Sequence, residues 1–222
     1  SLDCTENIIE EAIKNECNLV VCFHPIIFSG LKKINGENYV ERVVIKAIEN
    51  KISVLALHTR LDNHPTGVNY TLEKKLGLIK SRVLIPKDSS HKKPKIGMGR
   101  IGELTSTMQE IDFLDFVKSK LNTDLIRHSK LTSKKIKKIA ILGGSGSFAI
   151  ENAKEQGADA FITSDLKYHQ FFQSENNYLL VDIGHYESEQ FTKNLIYDYL
   201  TEKLPNFAII LSNIKTNPVN YF

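Results

Sequence analysis

Short apolar segments alternate with helix-type segments along this 222-residue chain, and this alternation limits the fold more than any other feature. Apolar runs of four to eight residues predict buried strands, and longer amphipathic stretches predict helices. The predicted strands are 18–23, 52–57, 139–142, 158–163, 178–183 and 207–211. The predicted helices are one opened by an Asp3-x-x-Glu6 capping box, 39–50, 65–76, 111–121, one ending at Gln156 and one from His185 to about Lys203. This order is typical of an α/β fold.

A polar stretch between Pro86 and Pro94 has the composition of a linker and suggests two similar α/β lobes. We therefore predict a first lobe over 1–90 and a second over 91–222, packed as one unit. The chain begins without Met, directly before a helix start. We expect the first lobe to lack its natural N-terminal segment.

Composition excludes several classes of protein. Apolar residues make up 41% and charged residues 25% of the chain, and the net charge of +3 is spread over separate lysine patches. We therefore expect no nucleic-acid partner. No apolar run approaches the roughly 20 residues that span a bilayer, so we expect no membrane partner. Three cysteines, an odd number, favour reduced thiols and a cytoplasmic location.

Three of the seven histidines, His24, His58 and His185, come at the ends of predicted strands. In α/β sheets the carboxyl ends of strands face the crevice in which ligands bind. A single histidine at such a place is usually structural. Three of them indicate a site.

A metal site is the chemistry that these positions favour. His185 and Glu189 lie four residues apart at a helix start, so they share one face. Asp62 follows His58 and could bridge two ions or could cap a turn. With His24, the set offers two imidazoles and two carboxylates without thiolate. Such a set suits Zn, Mn, Fe or Ni, one or two per chain, and does not choose among them.

Six motifs occur in the order that one family shows. They are Phe23-His24-Pro25-Ile26-Ile27-Phe28, His58-x-x-x-Asp62 with Gly67-Val68-Asn69, Gly99-Arg100-Ile101-Gly102-Glu103-Leu104, the run Gly143 to Ser147, the run Thr163 to His169, and Gly184-His185-Tyr186-x-x-Glu189. Together they cover nearly the whole chain. The chain resembles the Nif-three-like dinuclear metal protein family, often labelled GTP cyclohydrolase type-two homologue.

The resemblance implies a Nif-three-like fold with a metal cleft between two lobes, a toroidal homohexamer, and metal ligands at His24, Asp62, His185 and Glu189. Family members usually carry a His-His-Pro triplet, and Phe23 replaces its first histidine. Phenylalanine cannot bind a metal, which leaves a mononuclear site open. The implied function is a metal-dependent hydrolase acting on a nucleotide-like or phosphorylated small molecule. The alternative is a non-catalytic, metal-binding oligomeric scaffold.

A glycine-rich loop offers a second hypothesis. Gly144, Ser145 and Gly146 belong to a G-x-G-x-x-A pattern after a strand, with Asp165 about 20 residues further on. This pattern is compatible with dinucleotide binding, with a simpler anion site, or with a tight turn. Gly97 to Gly102 also fits G-x-G-x-x-G, but no helix follows, so we predict a turn there.

His169 is the predicted acid/base residue, or a residue that supports a metal ligand. It belongs to a polar cluster with Asp165 and Lys167 after a predicted strand. A purely structural role is the alternative.

Overall fold

The computed structural model describes residues 1–88 and 96–222, and the chain divides into two compact units. The first unit comprises Ser1–Leu61 and Thr192–Phe222, and the second comprises Asp62–Phe191. The predicted boundary at residue 90 differs from this division. The observed boundary falls inside a short helix, and the end of the chain belongs to the first unit.

The first unit contains a two-stranded parallel sheet and three longer helices. Its elements are α1 (Glu6–Lys14), β1 (Leu19–Cys22), α2 (Tyr39–Glu49), β2 (Ser53–Ala56), the short α3 (Thr59–Asp62), whose last residue starts the second unit, and α8 (Thr192–Lys203). The apolar faces of α1 and α2 pack on the strands. Ile8, Ile9, Cys22 and Val43 are almost completely buried in this core.

Side-chain caps define where the first two helices begin. Asn38 caps α2, and its side chain accepts a hydrogen bond from the backbone of Glu41. Thr5 caps α1 by accepting from Ile8 N. The predicted Asp3 capping box was therefore wrong, because Thr5 has the extended backbone that a cap requires.

The second unit is built on a six-stranded mixed sheet with the order β3-β4-β6-β7-β8-β5. Its strands are β3 (Ile79–Pro86), β4 (Gly97–Gln109), β5 (Arg127–His128), β6 (Lys135–Ser145), β7 (Ala160–Ser164) and β8 (Leu179–Asp182). Its helices are α4 (Val68–Leu76), α5 (Glu110–Leu121), α6 (Ile150–Glu155) and α7 (His185–Glu189), with 3₁₀ helices at Ser147–Ala149 and Tyr168–Ser174. The central strands carry the core, in which Ile139, Ile141 and Phe161 are inaccessible to solvent.

Strands β6, β7 and β8 run parallel and end at the same edge of the sheet. Ser145 is in register with Ser164, and Thr163 with Asp182. The loops that follow the three strands therefore leave one carboxyl edge, where parallel sheets usually bind their ligands.

The hairpin of β3 and β4 was not predicted. Gly97 to Gly102, expected to form a turn, lies inside β4. Glycine is required at Gly97 and Gly99 because both have positive φ, and a Cβ on Gly97 would lie 2.2 Å from the Ile85 carbonyl oxygen. The glycines concealed the strand by removing its apolar pattern. The predicted linker begins at Pro86, the last residue of β3, and much of it lies outside the described residues.

The predicted last strand, 207–211, was wrong. Within the described residues, no strand follows β8. The segment instead runs alongside a groove of about 390 Å³ that is also lined by Leu19 and Val21 of β1. No helix in the described part of the chain combines the length and apolar character that crossing a bilayer requires.

Candidate metal centre

His185 and Glu189 lie together on α7, at the carboxyl edge of the second unit's sheet. His185 Nε2 is 3.1 Å from Glu189 Oε2. The Glu189 side chain is only 4% exposed, whereas the imidazole is 40% exposed. Two atoms that can bind a metal thus lie side by side, one on a buried carboxylate and one on an accessible ring. The predicted pairing on one helix face is confirmed.

Asp165 fixes the other side of the His185 ring. Its Oδ2 accepts a hydrogen bond from His185 Nδ1 at 2.7 Å. Asp165 has the positive φ of 59°, an unusual conformation for a residue with a side chain and one that often marks a functional position. Because Nδ1 holds its proton against the carboxylate, Nε2 is the ring nitrogen that remains for a metal.

The charges around His185 favour a cation. The Asp165 carboxylate and, after it, the Glu189 carboxylate raise the pKa of His185 to about 10. The His185 ring in turn lowers the pKa of Asp165 by donating a hydrogen bond to its carboxylate. Without a metal, the two carboxylates therefore stabilise an imidazolium between them. A divalent cation would satisfy the same negative charge.

Gly144 lets the strand-end loop approach the Glu189 carboxylate. Its φ is +70°, and a Cβ built on it would lie 2.3 Å from Glu189 Oε1. Its amide donates to Ser188 Oγ at 2.8 Å. A side chain at this position would therefore collide with the carboxylate and disturb α7.

Asp62 is joined to the same loop through Asn69 on α4. Asn69 Nδ2 donates to the Asp62 carbonyl oxygen, and Asn69 Oδ1 accepts from Gly143 N at 3.0 Å. Both Asp62 and Asn69 are buried. A continuous hydrogen-bonded path thus runs from Asp62 to Gly143, whose neighbour Gly144 contacts Ser188.

The amides of the glycine-rich loop bond mainly within the protein. Gly143 and Gly144 donate to Asn69 and Ser188, and a Cβ on Gly146 would lie 2.1 Å from Thr163 Oγ1. The α-helix that follows has six residues. The tight-turn interpretation accounts for these contacts. Anion binding by Gly144, Ser145 and Gly146 stays a prediction.

His24 belongs to the first unit and has its own carboxylate partner. His24 Nδ1 is 2.8 Å from Asp3 Oδ1, and Thr216 donates to the other Asp3 oxygen. The preceding Phe23 is fully buried. His58, at the end of β2, has a positive φ of 38°, and its ring centroid is 5.7 Å from that of His24. His24 thus shows the same arrangement as His185, with Nδ1 on a carboxylate.

Comparisons with known proteins identify the family and the fold. A sequence model of the family described as Duf34/NIF3 (NGG1p interacting factor 3) matches residues 1–218. The chain belongs to the Duf34/NIF3 family. A relative from Clostridium acetobutylicum, named "GTP cyclohydrolase 1 type 2 homolog", is 35% identical over 190 residues. The match covers 85% of this chain and 70% of the relative.

Two crystal structures of related proteins match over the full chain. A Bacillus cereus protein related to NIF3 has a TM-score of 0.92 at 24% identity, covering 100% of this chain and 88% of that one. Staphylococcus aureus hypothetical protein SA1388 has a TM-score of 0.88 at 30% identity, with 100% and 85% covered. The predicted family and its α/β fold are confirmed.

Sequence reasoning missed the residues that contact the candidate metal centre. Asn69 was part of a quoted motif but had no role, and Asp3 was interpreted only as a helix cap. Asp165 was noted for its distance from the glycine-rich loop and for its polar neighbours Lys167 and His169, and its pairing with His185 was not foreseen. The signal available was the position of Asp165 and His185 directly after adjacent strands, β7 and β8.

His169, the predicted acid/base residue, lies in the 3₁₀ helix Tyr168–Ser174 with an exposed side chain. Its ring contacts two aromatic neighbours, Tyr168 at 5.1 Å and Phe172 at 6.3 Å between centroids. These contacts give it an aromatic environment. Its acid/base role stays a prediction.

Proposed function

We propose that this protein binds one or two divalent transition-metal ions through His24, Asp62, His185 and Glu189. It uses them to hydrolyse a phosphorylated, nucleotide-like small molecule, and it assembles as a homohexamer. The metal is Zn, Mn, Fe or Ni. Asp62 is the ligand that would bridge two ions.

The observation that carries the proposal is the pair of ligand atoms on α7. His185 Nε2 and Glu189 Oε2 lie 3.1 Å apart, and Asp165 holds the ring from behind. Histidines that bind metals usually donate their second ring nitrogen to a carboxylate. The buried position of Glu189 also supports a ligand role, because a buried carboxylate requires a compensating positive charge.

His24 supports the same proposal from the first unit. Asp3 accepts from its Nδ1, so its Nε2 is the nitrogen suited to a ligand. Phe23 cannot contribute to a second metal, and His58 is the nearest other imidazole in that unit. One strongly bound ion per chain is therefore the expected minimum.

A divalent cation would supply Lewis acidity, polarising a phosphoryl oxygen and acidifying a water molecule. The chain's own residues orient the components. Asp165 keeps the proton on His185 Nδ1, and Gly144 leaves room for the Glu189 carboxylate. The relatives' name, GTP cyclohydrolase 1 type 2 homolog, supports a nucleotide-like substrate as a starting hypothesis.

Metal analysis tests the site. The purified protein and an Asp62→Ala/Glu189→Ala variant are loaded with Mn or Zn, and bound metal per chain is measured by plasma mass spectrometry. We expect the variant to lose most of its metal. An Asp112→Ala/Glu175→Ala variant, changed at two exposed carboxylates of the same unit, serves as the control. Equal metal content in all three proteins would refute the ligand assignment.

Turnover separates the hydrolase from the scaffold. Phosphoesters and nucleotides are screened with Mn, Zn, Fe and Co, and the ligand variant is assayed in parallel. Activity that disappears in the ligand variant supports the hydrolase. Inactivity with every metal, in a protein whose assembly survives the ligand mutations, supports the non-catalytic scaffold.

A further inference from the structure

Exposed aromatic rings cluster at the carboxyl edge of the second unit's sheet. Tyr168 is 73% and Phe172 66% exposed, although both residues are large and largely apolar. Their ring centroids are 5.6 Å apart in an edge-to-face arrangement, and His169 completes the cluster. Phe148, 55% exposed, is in the 3₁₀ helix that follows the adjacent strand β6. Exposed apolar groups at a ligand-binding edge indicate a binding surface.

The segment that carries these rings is anchored. Leu166 is buried, its amide donates to Asp182 Oδ2 at 2.9 Å, and its carbonyl oxygen accepts from Arg127 at 2.8 Å. Lys167 N donates to the Gln170 side chain, which fixes the start of the 3₁₀ helix. The rings are therefore presented to solvent by a fixed base, and their exposure does not come from a loosely attached loop.

The aromatic cluster is close in the chain to the candidate metal centre. Tyr168 is three residues after Asp165, whose carboxylate contacts His185, so the Cα atoms of Tyr168 and Asp165 are at most about 11 Å apart. Two exposed cationic side chains, Lys167 and Arg127, belong to the same segment or contact it. Flat rings, cations and metal-type ligands thus occupy one edge of one sheet.

Resting on the proposed function, we propose that Tyr168 and Phe172 form a stacking surface for the flat heteroaromatic ring of a phosphorylated substrate. A nucleobase offers a π-face of this type, and aromatic side chains bind bases by stacking with little dependence on base identity. Lys167 would attract the anionic part of the same molecule, whereas Arg127 already forms an ion pair with Asp182. The substrate class is therefore a nucleoside phosphate, recognised by its ring and its charge. A plain sugar phosphate lacks the ring.

Calorimetric titration of the Mn-loaded protein tests this inference. Adenosine 5′-monophosphate is compared with ribose 5-phosphate, which has the same phosphate and sugar without the base. We expect the nucleotide to bind about tenfold more tightly. A Tyr168→Leu/Phe172→Leu variant should lose that preference and keep its affinity for ribose 5-phosphate. Tyr39→Leu, at an exposed tyrosine of α2 in the first unit, should change neither affinity.

The outcomes are distinguishable. Equal affinities for the two ligands in a protein that holds its metal would overturn the stacking surface and leave the metal site intact. A wild-type protein that does not retain metal would refute the proposed function. A Glu189→Ala variant that still prefers the nucleotide over ribose 5-phosphate would support the stacking surface independently of the metal site. If the double variant changes the oligomeric mass and keeps its nucleotide preference, the rings form a contact between copies and the inference is wrong.

Discussion

At the residue scale, backbone conformation and close contact fix the chemistry of the candidate centre. Asp165 and Gly144 both have positive φ, and each is within contact distance of a proposed ligand. For a residue with a side chain, such as Asp165, this conformation costs free energy and persists only where the surroundings impose it, whereas glycine adopts it freely. The strain therefore lies at Asp165, next to the proposed ligand His185, as expected for a site whose geometry matters more than local stability.

Replacing Gly144 with alanine should damage the site. The new Cβ would lie 2.3 Å from Glu189 Oε1, so the carboxylate must move. We expect metal affinity to fall by about 10- to 100-fold, in the range seen when residues that support ligands are altered. Competition with a fluorescent chelator measures this affinity. Gly143→Ala is the matched control, because its Cβ would meet only side-chain and carbonyl atoms at 3.2 Å or more.

Asp165→Asn should weaken metal binding without removing a ligand. An amide oxygen can still accept from His185 Nδ1, but it loses the negative charge that orients the ring. We expect metal affinity to fall by about tenfold and thermal stability to change little. Calorimetric titration with Zn or Mn, alongside the exposed Asp112→Asn variant, measures the effect. Unchanged affinity would show that Asp165 serves another purpose.

Phe23→His tests the missing imidazole. Phe23 is fully buried, with its ring centroid 5.8 Å from that of His58. If a second metal site is incomplete only because it is missing one imidazole ligand, the bound metal should rise towards two ions per chain. Metal counting by plasma mass spectrometry decides this. No increase, in a folded variant, would mean that another residue already fills the role.

At the scale of helices and strands, elements with a clear apolar period were predictable and those rich in glycine were not. Helix α2 was predicted within one residue of its observed end, because Asn38 provides a cap and Val43 and Ala47 a buried stripe. Strand β4 was missed because Gly97, Gly99 and Gly102 interrupt its pattern. The 207–211 segment has strand-type residues, but those do not determine whether a neighbouring strand pairs with it.

Glu41 stabilises the start of α2 through an ionised carboxylate. It accepts hydrogen bonds from the amides of Asn35 and Glu37 and from the Asn38 side chain, and these contacts lower its pKa. A lowered pKa contributes stability that is present above the ordinary range of a glutamate and is lost as the pH falls through the lowered value.

Glu41→Gln should therefore lower the urea midpoint at neutral pH. The difference from the wild type should shrink as the pH falls from the ordinary range of a glutamate through the lowered value, below which the carboxylate is neutral in both the folded and the unfolded state. Urea unfolding at several pH values measures this. Glu49→Gln, at the exposed end of the same helix, should show no such pH-dependent difference.

At the scale of the whole molecule, sequence position alone selects the proposed ligand residues, but it does not reveal the contacts around them. Strand-end position singled out His24 and His185, since the apolar runs before them were recognisable in the sequence. The path from Asp62 through Asn69 to Gly143 depends on α4 packing against β6, residues more than 70 positions apart. Contacts of that separation have no local signal in a single sequence.

Assembly is the prediction that belongs to this scale. We expect a particle of six times the 25.2 kDa chain mass in light scattering after size exclusion. Exposed apolar side chains, including Phe28 at 69% and Ile48 at 66%, support an interface between copies. A monomer at micromolar concentration would contradict the homohexamer, and the metal analysis would remain independent of that result.

Residues from both ends of the described chain, Ser1–Leu61 and Thr192–Phe222, form the first unit. During synthesis, the second unit is therefore complete once residue 191 has left the ribosome, while α1 and α2 still lack α8. At typical rates of translation the remaining segment takes on the order of seconds to emerge. The segment Ser1–Leu61 therefore emerges well before the segment Thr192–Phe222 with which it forms one unit, so the first unit is completed after the second.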